Sequence, residues 1–143
     1  MDRGTRLEEE ALNIYQEKTG RKLNTDLVMW VREHNPNIAI SPDAYDGDTF
    51  AVENKCLSSA RHIEAYLTKQ IPSEYEEQKI QYFIVNDKLE QLDFNFYDPR
   101  IPAISSFVIS VKREEVQDKV DEYLEYEKAT LEEINQIVND LTF

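Results

Sequence analysis

Residues 28–55 constrain the fold of this chain most tightly. Residues 28–31, 38–41 and 49–55 are short β-rich runs, separated by Asn35-Pro36 and Asp46-Gly47, dipeptides that interrupt strands with turns. Before them, Leu7, Ala11, Ile14 and Tyr15 recur at helical spacing and Gly20 supplies a stop, so a helix is expected over 8–18. After them, a helix is expected over 59–69 and another from Ser73 to about Asn86, where Ser73 and Glu76 have the spacing of a capping box. Leu92, Phe94 and Phe96 then alternate with Asp93, Asn95 and Tyr97, and residues 107–111 are β-branched and aromatic, which predicts two further strands. Val116, Val120 and Leu124, then Leu131, Ile134, Val138 and Leu141, keep helical spacing to the C-terminus, with Thr130 and Glu133 placed to cap a second helical segment. The order α-β-β-β-α-α-β-β-α predicts an α/β fold in which a mixed central sheet is flanked by helices.

A chain of 143 residues fits one domain over 1–143, and 41% hydrophobic with 10% aromatic residues is enough for an ordinary core. Cys56 is the sole cysteine, which excludes an intramolecular disulfide framework and a multi-cysteine zinc or iron–sulfur site and fits a reducing compartment. The longest apolar run is residues 27–31, far short of the roughly 20 residues of a membrane span, and no signal-peptide core is present. A soluble, cytosolic protein without a membrane partner is expected. Lys and Arg number 16 against 29 Asp and Glu, a net charge of −13, which is an unpromising balance for wrapping nucleic acid electrostatically. The distribution changes that reading. Residues 112–143 hold ten acids and four bases, a solvated acidic face, while residues 26–54 hold six acids and one base, and the six include the acids with a chemical role.

That role starts from Ser41-Pro42-Asp43, ten residues before Glu53-Asn54-Lys55. Residues two apart on a strand share a face, so Glu53 and Lys55 are aimed together while Val52, Asn54 and Cys56 share the other side. Asp43 across a hairpin would complete two carboxylates able to hold a hard divalent cation by oxygen, with a lysine beside them. Such a layout cleaves phosphodiesters: the cation polarises the phosphate and acidifies a water, and Lys55 orients the nucleophile or offsets developing charge. Register decides whether it can form. A two-residue turn at Asp46-Gly47 would set Asp43 opposite Phe50 and leave Glu53 about 10 Å away, so a wider loop, from about Asp46 to Phe50, is expected. On a helical wheel Glu8 falls between Leu12 and Tyr15, whereas Glu9 and Glu10 point away; Glu8 is either a further carboxylate for the ion or a boundary residue. Gln78 lies within the apolar stripe of Tyr75, Tyr82 and Val85. His34 and His62 are read as structural, Cys56 as a small core residue, and Asp46 and Asp48 as turn residues.

These segments together resemble the lambda-exonuclease type, YqaJ-like, of phage recombination nuclease within the PD-(D/E)xK superfamily. Gly4-Thr5-Arg6-Leu7-Glu8 with Ala11, Tyr15 and Thr19-Gly20 resembles the family's opening helix, and Ser41-Pro42-Asp43 its S-P-D-G segment, with Ala44 in place of the glycine. Glu53-Asn54-Lys55-Cys56 resembles the E-x-K-C strand, Tyr75-Glu76-Glu77-Gln78 the Y-x-x-Q helix, and Tyr97-Asp98-Pro99-Arg100 the tyrosine–aspartate strand. The resemblance implies a restriction-endonuclease-like fold. It implies Mg2+ or Mn2+ held by Asp43, Glu53 and the backbone carbonyl of Asn54, with Glu8 nearby, Lys55 acting at the attacking water and Gln78 placing that water or the phosphate. It further implies 5′-to-3′ digestion of one strand of double-stranded DNA, a single-strand annealing protein as partner, a phage or prophage setting in a bacterial cytoplasm, and, in some members, a ring-shaped trimer. Larger members carry a segment before the opening helix that separates strands and grips the 5′ phosphate, and this chain starts almost at that helix.

Two other readings compete with an exonuclease. One is a structure-specific endonuclease of the junction-resolvase kind. The other is a non-catalytic acidic protein that mimics DNA, which needs surface charge but no ion-binding face.

Overall fold

The computed structural model describes residues 3–142 apart from residue 34, with side chains from residue 6 onward. His34, read above as structural, lies outside the described residues. Helix α1 (Arg3–Thr19) ends at Gly20, whose φ of +74° is the left-handed conformation of a helix stop. Strands β1 (Trp30–Arg32) and β2 (Asn35–Ile40) pair as a separate two-stranded antiparallel sheet. The central sheet has the order β3 (Ala44–Asp46), β4 (Phe50–Lys55), β5 (Gln91–Tyr97) and β6 (Ser106–Lys112). Strands β4 and β5 are parallel and the other two pairs antiparallel, so the sheet is mixed. A parallel pair needs a long crossover, here α2 (Ser59–Thr68), a 3-10 turn at Ser73–Tyr75 and α3 (Glu76–Val85). Helix α4 (Arg113–Leu141) follows β6.

Strand β5 shows how the layers divide. Leu92, Phe94 and Phe96 are fully buried in the main core with Tyr82 and Phe83 of α3 and Val116 and Val120 of α4, each large side chain contributing roughly 1.5–3 kcal/mol by leaving water. Asp93, Asn95 and Tyr97 instead meet α1 through polar bonds. The Tyr15 hydroxyl donates to Asp93 Oδ2 at 2.6 Å, Asn95 Nδ2 to the Ala11 carbonyl at 3.1 Å, and the Tyr97 hydroxyl to Glu10 Oε2 at 3.0 Å. A smaller apolar cluster of Leu12, Tyr15, Ala44, Phe50 and Val52 closes α1 onto β3 and β4.

Three expectations about the elements are corrected. Strand β3 was not anticipated, because three residues are too few to show an alternating pattern. No capping box forms at Ser73: residues 73–75 make a 3-10 turn without a side-chain cap, and Glu76 pairs instead with Lys79 at 2.7 Å and Lys119 at 3.0 Å. The C-terminus is one helix of 29 residues rather than two segments; no glycine or proline lies between 113 and 141, so Thr130 and Glu133 sit within an unbroken ladder. Its first turns bury Val116 and Val120, whereas Leu131, Ile134, Val138 and Leu141 are exposed.

Candidate active site

The β3–β4 hairpin sets the geometry. Asp46 faces Phe50, Tyr45 faces Ala51 and Ala44 faces Val52, closed by a loop of residues 47–49 in which Gly47 takes φ +59°, a conformation that glycine adopts without penalty. The same register carried one residue further sets Asp43 beside Glu53, the arrangement that the wider loop predicted. The backbone N–H of Asn54 donates to Asp43 Oδ2 at 2.7 Å, which fixes that carboxylate against β4.

Glu53 is buried and surrounded. Gln78 Nε2 donates to its Oε1 at 2.5 Å and the Tyr82 hydroxyl donates to its Oε2 at 2.8 Å, while Lys55 Nζ stands 3.8 Å from Oε1. Burial and then the charge and hydrogen bond of Asp43 push the Glu53 carboxyl up to about 8; the Tyr82 hydrogen bond and the Lys55 charge pull the other way. The Lys55 ammonium lies 4.1 Å from the centroid of the Tyr75 ring, a cation–π contact that holds it beside the carboxylate. Gln78 therefore faces the site rather than water. Tyr82 belongs to the site as well, although its sequence position marked only a core stripe. Its signal was available: Gln78 and Tyr82 are four apart and so adjacent on one helix face, and a fully buried tyrosine hydroxyl needs a partner.

Glu8 is exposed and lines a cavity of about 430 Å³ together with Leu12, Asn13, Asp43 and Asn54. Its helix face is the predicted one, but a cavity and not the core lies beneath that turn. Among the described residues no three His, Cys, Asp or Glu side chains form a metal-holding group, so Glu8 does not make a three-carboxylate cluster with Asp43 and Glu53. One reading fails outright. Cys56 is exposed rather than a core residue, because β4 ends at Lys55 and the strand alternation stops with it. His62 is structural, as expected: it is fully buried, its Nε2 2.6 Å from the Ile104 carbonyl and its ring edge-on to Phe107, out of reach of a phosphate.

The donor set fits a divalent cation. Two carboxylates forced together, one with its carboxyl raised by burial first and by the other carboxylate second, are relieved by a cation between them; the oxygens of Asp43 and Glu53 and the Asn54 carbonyl are hard ligands of the kind Mg2+ and Mn2+ take.

The family model of the YqaJ-like viral recombinase domain matches residues 1–88, more than half of the chain and the part that carries Glu8, Asp43, Glu53, Lys55 and Gln78. The chain belongs to that family. No curated protein matches it. Among solved structures, the YqaJ-like chain is similar to LHK-Exo, an alkaline exonuclease from Laribacter hongkongensis, with a TM-score of 0.69 and 25% identity over 96% of this chain and 73% of that one. LHK-Exo in complex with dAMP gives the same TM-score and coverage at 26% identity. The fold is accordingly restriction-endonuclease-like, of the lambda-exonuclease type, as the sequence resemblance implied.

Proposed function

We propose that this YqaJ-like chain is a Mg2+- or Mn2+-dependent deoxyribonuclease that digests one strand of double-stranded DNA from its end, 5′ to 3′. The observation that carries the reading is the Asp43–Glu53 carboxylate pair with the Lys55 ammonium 3.8 Å from Glu53. Similarity to an alkaline exonuclease, seen also with dAMP bound, supports the reaction class and the nucleotide product. When bound, a divalent cation supplies Lewis-acid polarisation of the scissile phosphate and a nucleophilic water at neutral pH. Asp43, Glu53 and the Asn54 carbonyl are the oxygens that hold it, with Glu8 overlooking the same cavity. Lys55, steered by the Tyr75 face, orients the attacking water or balances negative charge that builds on the phosphate. Gln78 and Tyr82 keep both Glu53 oxygens turned toward the site. Digestion in this sense leaves a 3′ single strand, the substrate of a single-strand annealing protein, which is the expected partner.

The test is end-labelled linear duplex DNA with Mg2+, read on a denaturing gel. Wild-type protein should shorten one strand from its 5′ end, and Lys55→Ala should lose at least about 100-fold of the rate, the usual range for a positioned proton-transfer or charge-balancing group. Cleavage of closed circular or branched DNA with no preference for ends would move the assignment to a structure-specific endonuclease. No cleavage with any divalent cation would remove the enzyme reading and leave an acidic DNA mimic.

A further inference from the structure

Behind the carboxylates, at the centre of the sheet, lies a pair of asparagines whose side chains the proposed chemistry does not use, Asn95 fully buried and Asn54 half-buried. Asn95 of β5 is fully buried and sits beside Asn54 of β4 in the parallel register. Its Nδ2 donates twice, to Asn54 Oδ1 at 3.0 Å and to the Ala11 carbonyl of α1 at 3.1 Å. Two acceptors on one side fix which way the amide faces, since a rotated amide would set oxygen against both. The arrangement leaves Asn95 Oδ1 and Asn54 Nδ2 buried without hydrogen-bond partners.

Buried, unsatisfied amide atoms weaken a fold, and two apolar side chains of similar volume at 54 and 95 would remove the defect. The neighbours on the same strand, Phe94 and Phe96, show that this layer of the sheet packs well with hydrocarbon on its other side. A polar pair kept at such a position calls for another role, and its location supplies one. The Asn54 peptide N–H is the group that clamps Asp43 Oδ2 at 2.7 Å. One side-chain bond from Asn95 thus holds the residue whose backbone aims Asp43, and the second bond ties α1 to the sheet one turn from Glu8.

We propose that Asn95 is a positioning residue for the cation centre: it locks Asn54, and through the Asn54 peptide it holds Asp43 in its ligand orientation. The inference rests on the reading of Asp43 and Glu53 as cation-holding carboxylates. Outer residues that orient metal ligands typically change affinity 10–100-fold when removed.

The experiment uses the whole chain with Asn95→Leu, and Asn54→Ala as a second variant that cuts the same tether from its other end. In metal-free protein, hydrogen exchange at the backbone amide of position 54, corrected for the side chain's intrinsic rate, should be about tenfold faster in either variant, while amides of Phe94 and Val111 keep their wild-type rates. Mn2+ affinity, read by calorimetry, should fall at least tenfold in both variants, with the melting temperature of Asn95→Leu at or above wild type. A merely structural asparagine would lower the melting temperature and leave Asn54 exchange and Mn2+ affinity within twofold of wild type in whichever variant folds; that result overturns the proposal. If wild-type protein binds no Mn2+, the functional reading fails, and the exchange rate of Asn54 still decides whether Asn95 holds that peptide.

Discussion

Replacing Glu53 by glutamine should stabilise the metal-free protein at neutral pH. The Glu53 carboxyl has an ordinary value of 4.5 and stands near 8 in the folded chain, first because of burial and then because of Asp43. At pH 7 the folded state holds that proton and the unfolded state has released it, so stability is complete below about 4.5 and is lost as pH rises towards 8. Integrated to pH 7, this single group removes about 3 kcal/mol. Glutamine carries no proton to lose and still accepts from Tyr82, but its own amide N–H2 is set against the Gln78 donor, which returns about 1 kcal/mol. The net gain is about 2 kcal/mol at pH 7, or about 4–8 °C in melting temperature for a domain of this size. Urea unfolding in EDTA at pH 5, 7 and 8.5 measures it. Glu53→Gln should exceed wild type at pH 7, the gap should widen by pH 8.5, and it should vanish or reverse at pH 5. Saturating Mg2+ should reverse the ranking at pH 7, because a ligand at 100 times its dissociation constant adds about 2.7 kcal/mol to the form that binds it. A pH-independent gap, or a Glu53→Gln protein less stable than wild type in EDTA at pH 7, would refute the reasoning.

Tyr82→Phe should cost about 1–2 kcal/mol in urea unfolding, because it strips a donor from a buried carboxylate oxygen, and should slow cleavage roughly tenfold in the gel assay. Asp98 is nearly sealed from solvent; burial alone would raise its carboxyl, but the hydrogen bonds of Arg100 and Ser59 hold it down to about 2. Its share of stability should therefore be present above about pH 4 and disappear as pH falls towards 2, and Asp98→Asn should flatten that acid limb of the unfolding curve. On α4, Ile134→Lys should leave the melting temperature unchanged within about 0.5 kcal/mol because Ile134 is half exposed, whereas Val120→Ala, at a position 1% exposed, should cost about 2 kcal/mol.

The parts of the fold that could be read from the residues are those where one local signal has one outcome. Alternation along 92–97 gave β5 because both of its faces are packed, with hydrocarbon on one side and hydrogen-bonded polar groups on the other. The Asp46-Gly47 punctuation, with the reach needed to bring Asp43 to Glu53, pointed to the hairpin register that forms. The capping motif at Ser73 failed because Lys79 and Lys119 compete for Glu76, and Lys119 belongs to a helix 43 residues on, which no local pattern encodes. The break expected near Thr130 failed because capping residues permit a helix start without compelling one. Within the site, Asp43, Glu53 and Lys55 stood out by residue type and spacing, and Gln78 only through the family resemblance. Tyr82 and Asn95 did not, since their roles come from what they touch across the sheet, and Cys56 was misplaced because alternation was carried one residue past the strand end.

The central claim is that Asp43 and Glu53 jointly hold a divalent cation, and calorimetric titration of Mn2+ into wild-type protein and Asp43→Asn tests it most directly. Saturable binding in the wild type that Asp43→Asn abolishes, with both proteins folded, is the predicted result. Equal binding by the two proteins, or DNA cleavage by a wild type that binds no cation, would contradict the account.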